Sequence, residues 1–198
     1  MNVLATPITE EEVRALRLGD TIYVTGTMVT ARDEAHKKAL YGKEQMPIDL
    51  GGLVLFHCGP VVRKKNGKWE IVAAGPTTST RMDLFEDEFI EKFRVRVIVG
   101  KGGMGARTAD AMEKYGCVYG AFTGGAAVLA AKSIKGVKDV VLPELGMPEA
   151  MWVLEVEKFG PLTIAIDAHG NNMFEDVRAK VDARKGKVYE MLGIAGER

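Results

Sequence analysis

Hydrophobic positions along this chain recur with two periods, and the switches between them mark the elements. Thr9, followed three residues later by Glu12, forms a capping box that opens a short helix through VRALRL, ending near Gly19. TIYVTG (21–26) alternates and is β-branched, which predicts a strand. Polar residues from Thr27 read as a loop, with Thr30 a candidate cap for a helix from near Asp33 to just before Gly42. The apolar runs LVLFHCGPVV (53–62) and KWEIVAAG (68–75) are joined by RKKNG, whose Asn66-Gly67 pair predicts an antiparallel hairpin. GPTTSTRMD (75–83) is a loop running into the helix LFEDEFIEKF. RVRVIVG (94–100) is a strand, KGGMG a glycine loop and ARTADAMEKYG a helix. CVYGAF (117–122), TGGAAVLAAKSI and KDVVLPE (138–144) repeat strand, helix, strand. WVLEVEKFG and PLTIAID (161–167) read as two further strands paired antiparallel, and NNMFEDVRAKVDARKGKVYEML as a closing helix with a short mobile tail.

Strands alternating with helices in the second half favour parallel βαβ units, while the two expected hairpins are antiparallel, so the predicted fold class is α/β with mixed sheets. No internal repeat and no Pro- or Ser-rich linker divides the chain, which predicts one domain over residues 1–198. With 46% hydrophobic and 27% charged residues, the chain is an ordinary globular sequence rather than a disordered one. Lys plus Arg and Asp plus Glu are 27 each, so no overall basic field invites nucleic acid. The apolar run Leu53–Cys58 is far shorter than the roughly 20 residues of a membrane span. The N-terminus lacks the basic start and apolar core of a secretory signal, and a cytoplasmic location is expected. Cys58 and Cys117, the two cysteines, make no disulfide framework, no zinc site and no iron–sulfur ligand set, so no metal site is expected on this chain.

Gly100, Gly102 and Gly105 spell G-x-G-x-x-G between a strand and a helix, the context of a dinucleotide-binding turn. The acidic residue that should follow about 20 positions on is missing from GAFTGG, a charged Lys101 stands inside the motif, and no Gly-Lys-Ser/Thr is present. What survives is a loop at a helix start, where the backbone of Gly100, Gly102 and Gly103, together with Lys101, suits a small anion. Plain helix–strand packing is the alternative for those glycines. Two further loops carry cations. TARDEAH brings Arg32, Asp33 and His36 together at a loop-to-helix junction, and GPTTSTRMD sets Arg81 after the hydroxyls of Thr77 and Thr78. Each cation follows a predicted strand, and open α/β sheets bind ligands at the carboxyl ends of their strands. Three cations beside a hydroxyl pair suit a small di-anion. His57 and Cys58, inside an apolar run, read as core residues.

TARDEAH, GPTTSTRMD, VGKGGMG, CVYGAFTGGAA and WVLEVEKFGPLTIAIDAHGNN, in that order over about residues 20–175, closely resemble the β subunit of class I (iron–sulfur) fumarate hydratase and the related β subunit of L-tartrate dehydratase. The resemblance implies a swivelling domain of β/β/α type over that core, followed by a C-terminal helix and tail (171–198). It implies a hydro-lyase of the tricarboxylic acid cycle that hydrates fumarate to L-malate and is active only as a hetero-oligomer. The partner α subunit would carry a 4Fe–4S cluster on three Cys, and this chain none. Matched by motif, Arg32, Arg81 and Lys101 would bind the four-carbon dicarboxylate, Thr77 would be the catalytic residue and candidate base, and Asp33 and His36 would orient Arg32. L-tartrate dehydration is the alternative activity. A stand-alone anion-binding module is a further one, which the retention of Thr77 beside the cations argues against.

Overall fold

The alternation that begins at Thr21 continues without a break, and in the computed structural model, which describes residues 2–43 and 45–194, strand β2 spans Thr21–Ala31. It is preceded by β1 (Asn2–Ala5) and by α1 (Glu10–Arg14), whose Thr9–Glu12 capping box forms as expected. After β2 come α2 (Asp33–Tyr41), β3 (Val54–His57), β4 (Val61–Lys65) and β5 (Lys68–Ala73). A single 3-10 turn, Ser79–Arg81, leads to α3 (Glu86–Phe93). The remainder runs β6 (Val97–Gly100), α4 (Ala106–Tyr115), β7 (Val118–Ala121), α5 (Ala127–Ser133), β8 (Ile134–Val141), β9 (Met151–Ile166) and α6 (Met173–Met191). The expected tail past residue 194 lies outside the described residues.

Seven strands form one sheet in the order β1-β2-β3-β6-β7-β9-β8, and an extra pairing of β2 with β9 closes β2, β3, β6, β7 and β9 into a ring. β2, β3, β6 and β7 are parallel neighbours, while β9 runs antiparallel to β2, β7 and β8. Side chains alternate across the ring. Val54, Phe56, Val97 and Val99 join Met28 and Leu154 in one buried cluster, closed by α1 and α5. Leu55, Ile98 and Tyr119 face the other way and meet α2, α3 and α4 in a second cluster. Helices therefore cover one face of the strands, and the strands close on themselves over the other. The α/β class with a mixed sheet holds.

Four local expectations are corrected. Thr27–Ala31 is strand rather than loop, because β3 and β9 pair with it on both sides. Thr30 consequently caps nothing. Its hydroxyl accepts from the Trp152 N–H at 3.0 Å, and Arg32, the residue at the start of α2, makes no side-chain cap. The run 53–62 splits: β3 enters the parallel sheet, and only β4 pairs with β5 in the hairpin, where Asn66 and Gly67 take the positive φ angles of 50° and 76° that such a turn requires. WVLEVEKFG and PLTIAID are one sixteen-residue strand, β9, not an antiparallel pair. β8 pairs antiparallel with β9, so β7-α5-β8 is no parallel βαβ unit. Among the described residues no helix is long and apolar enough to cross a membrane.

Candidate functional site

The cationic loops meet where β2, β3 and β6 end. β3 stops at His57, and its carbonyl accepts the Thr77 N–H at 2.7 Å, which ties the 75–83 loop to the end of that strand. The same loop crosses to the end of β6: Thr78 pairs with Lys101 in a parallel bridge, and the Ser79 N–H donates to the Lys101 carbonyl at 2.8 Å. Although Arg81 follows β5 in sequence, that strand lies in the two-stranded hairpin, and these bonds return the loop to the main sheet. Thr77, Thr78 and Lys101 are thus adjacent through backbone bonds alone.

The acids around the cations differ from expectation. Asp33 is not turned to Arg32. Its carboxylate holds Arg81, with Nη2 at 2.6 Å, and so joins the TARDEAH and GPTTSTRMD loops directly. Arg32 is instead paired with Glu149, Nε to Oε1 3.3 Å, and its guanidinium lies against Gly59 in the loop after β3. Glu149 also accepts the Glu34 N–H at 3.1 Å, occupying a donor at the start of α2. The Lys101 side chain is exposed and runs beside Gly124.

The glycine loop has a structural use at two positions. A Cβ at Gly100 would fall 1.9 Å from Ser79 Oγ, so this glycine lets the 75–83 loop sit directly on β6. A Cβ at Gly103, where φ is +72°, would fall 2.4 Å from the Phe174 ring at the start of α6. The start of α4 is less open to an outside anion than the sequence suggests. Asp83 supplies a carboxylate there, accepting from Gly105 N–H at 3.0 Å and Thr108 Oγ1–H at 2.6 Å.

Beneath the loops lies a buried polar cluster that the sequence did not announce. His57 is buried but is no apolar core residue: the alternation along β3 turns it away from Phe56 toward the helices. There its Nε2 stands 3.0 Å from Glu86 Oε2, and His36 Nε2 reaches the same oxygen at 3.3 Å. Neither approach is a well-aligned hydrogen bond, and both rings stand close enough to act on the Glu86 carboxyl. Among the described residues Glu86 Oε1 has no hydrogen-bond partner. The far ring nitrogens are anchored: His36 Nδ1 on the Arg32 carbonyl at 2.7 Å, and His57 Nδ1 on Ser79 Oγ at 2.9 Å. Tyr119 O–H donates to Ser79 Oγ at 2.9 Å. Burial alone would raise the Glu86 pKa, but the two imidazoles override it and hold the carboxyl well below its ordinary range. For His36, burial would lower the pKa, and the Glu86 charge reverses that, so the net shift is upward. His36, His57 and Glu86 also have the makings of a metal ligand set, which the reading of the two cysteines did not foresee.

Arg81 and Lys101 are exposed, while Arg32 is half-buried with its Nε enclosed. Hollows of about 610 and 780 Å³ lie elsewhere, around Met46, where α2 ends and the 42–50 loop begins. A smaller hollow of about 220 Å³ lies beside the glycine loop, lined by Thr80, Asp83, Gly102 and Phe174 among others. Exposed charged groups at strand ends can grip a carboxylate, but they cannot exclude water from it.

Comparison with known proteins gives the family of the chain. Residues 2–177 match the family described as Fumarase C-terminus. The chain is 46% identical over 190 residues to the L(+)-tartrate dehydratase subunit beta of Escherichia coli (strain K12), covering 96% of this chain and 94% of that protein. It is 46% identical over 191 residues to the putative L(+)-tartrate dehydratase subunit beta of Methanocaldococcus jannaschii, covering 94% of this chain and 96% of that one. A putative fumarate hydratase class I of Geobacillus stearothermophilus is 44% identical over 175 residues, covering 88% of this chain and 34% of that longer protein. With the family match running from β1 into α6, the chain belongs to the Fumarase C-terminus family.

Proposed function

We propose that this chain is the β subunit of a two-subunit iron–sulfur hydro-lyase that interconverts fumarate and L-malate in the cytoplasm. The observation that carries the reading is the convergence of the loops bearing Arg32, Thr77, Arg81 and Lys101 at the ends of adjacent strands, through backbone bonds and the Asp33–Arg81 ion pair. Two carboxylates of a small di-anion need cations at fixed spacing, and a planar guanidinium holds one bidentately. In this reading Arg32, Arg81 and Lys101 bind the carboxylates and offset the charge that grows on one of them as the proton leaves the adjacent carbon. The Thr77 hydroxyl takes that proton. A hydroxyl is a weak base unaided, and the neighbouring cations favour its alkoxide. The backbone of Gly100, Gly102 and Gly103 shapes the floor beneath the substrate.

The chain's own residues do not fit a 4Fe–4S cluster, which takes about four ligands, most often thiolates. Cys58 and Cys117 are both buried, and burial pushes the Cys58 thiol up to about 12 and the Cys117 thiol up as well. We therefore assign the cluster to the α subunit, whose docking would also cover the site. A second reading, L-tartrate dehydration, is favoured by the names of the two relatives aligned over nearly their whole length.

The test is anaerobic reconstitution with the α partner, followed by assays on fumarate, L-malate and L-tartrate. Turnover of fumarate and malate is expected. Turnover of L-tartrate alone would select the second reading, and activity of this chain by itself would overturn the division of labour.

A further inference from the structure

We propose that Glu86 is a positioning residue, a buried anion that holds the Arg32 loop and the Thr77 loop in register through His36 and His57. The inference rests on the hydro-lyase reading for its kinetic consequence, but not for its geometry. Glu86 sits on α3, and among the described residues it makes no hydrogen bond or ion pair with any of the four site residues. It lies between His36, which follows Arg32 by one helical turn, and His57, which ends β3 under Thr77. His36 meets the Arg32 carbonyl, and the His57 carbonyl takes the Thr77 N–H. The His57 ring meets Ser79, whose N–H in turn bonds the Lys101 carbonyl. One carboxylate thus reaches the backbone of Arg32, Thr77 and Lys101 through a single histidine or a histidine and a serine.

The contacts on each ring fix its place between the loops. Ser79 Oγ meets both the Tyr119 hydroxyl and His57 Nδ1 at 2.9 Å, and the other nitrogen of His57 faces Glu86. For His36, the Arg32 carbonyl meets Nδ1 and the Glu86 carboxylate faces Nε2, so the ring bridges the start of α2 to α3. The groups facing His36 are Glu86 and Phe89 from α3, His57 from β3 at 5.4 Å between rings, and Arg32 and Asp33 at the start of its own helix. Of these, Asp33 is engaged with Arg81. Glu86 is the group on which both rings converge, and replacing it removes the link between them.

Two arms test this. In backbone-amide NMR of the full chain, Glu86→Gln should shift the Arg32, Thr77 and Ser79 signals while those of β9 stay in place. In the reconstituted enzyme, Glu86→Gln should lower kcat/KM about tenfold or more, and Glu86→Gln with His36→Gln should cost little beyond the first change, because both act through one contact. Ser79→Ala is the second variant: it removes the loop's contact with the His57 ring while leaving Glu86 and His36 together, so kcat should fall with the Arg32 signal unchanged. The proposal is overturned by additive losses in the double variant, or by activity that falls only in step with the folded fraction. It is also overturned by a stoichiometric divalent metal that the wild-type chain holds and Glu86→Gln loses. A wild-type pair inactive on all three substrates would sink the hydro-lyase reading, while the NMR arm would still decide the role of Glu86.

Discussion

Arg81 is 51% exposed and held in the resting chain by one carboxylate, that of Asp33. Replacing it by Lys keeps the charge but loses the fork that grips a carboxylate with two parallel bonds. We expect kcat/KM on the physiological substrate to fall between about tenfold and a hundredfold, the worth of one charge-assisted bond. An unchanged value would make Arg81 scaffold. Thr77 and Thr78 form an internal comparison. The Thr78 methyl packs over Gly102, whereas Thr77 hangs by its N–H from the end of β3. Thr77→Val should lower kcat by about 10²-fold or more with KM little changed, and Thr78→Val should be milder. Equal, modest losses would show that neither hydroxyl handles the proton. The cations and hydroxyls were legible in the sequence because their loops are short and rich in chemistry. Glu149 and Asp83 were not, since nothing local in MPEA or RMDL tells a solvated acid from one turned onto Arg32 or onto the start of α4.

At the scale of elements, α2, β3 and α3 are joined by a buried carboxyl and two imidazoles inside a wall of apolar side chains, and their union depends on pH. The His36 pKa is raised on folding, so its contribution is complete below the ordinary value of about 6.5 and is lost as pH rises through the folded value. Glu86 is depressed, so its contribution is present above the ordinary carboxylate range and is lost as pH falls through its folded value. Denaturation midpoints should therefore be flat between the carboxylate range and about pH 6.5 and fall as pH rises above it, and Glu86→Gln should flatten that fall. A fall of the same depth in the variant would assign it to other groups. The sequence hid this cluster for a physical reason: LFEDEF reads as the acidic first turn of an exposed helix, and only the three-dimensional approach of α3 to β3 buries Glu86 among its acids. Pattern reading failed likewise at β8 and β9. Alternation reveals that a strand exists but not which neighbour it takes, and a proline inside an apolar run imitates a break between two strands.

For the whole molecule, two buried cysteines predict that the purified chain is colourless, holds no iron and turns over none of the three substrates, whereas addition of the α subunit restores activity. Iron retained by the purified chain in stoichiometric amount would contradict this. β9 gives the molecule an internal clock. Its residues 153–156 are paired with β2 on one side and β8 on the other, so their amides cannot open without separating strands. The β4–β5 ribbon is mostly exposed, and α6 buries none of its residues. Transfer into deuterated water should therefore label α6 and the ribbon within minutes, and residues 153–156 only as fast as the entire fold comes apart. The late signal from those residues would then measure, from a single strand, how long one copy of this protein survives before it unfolds.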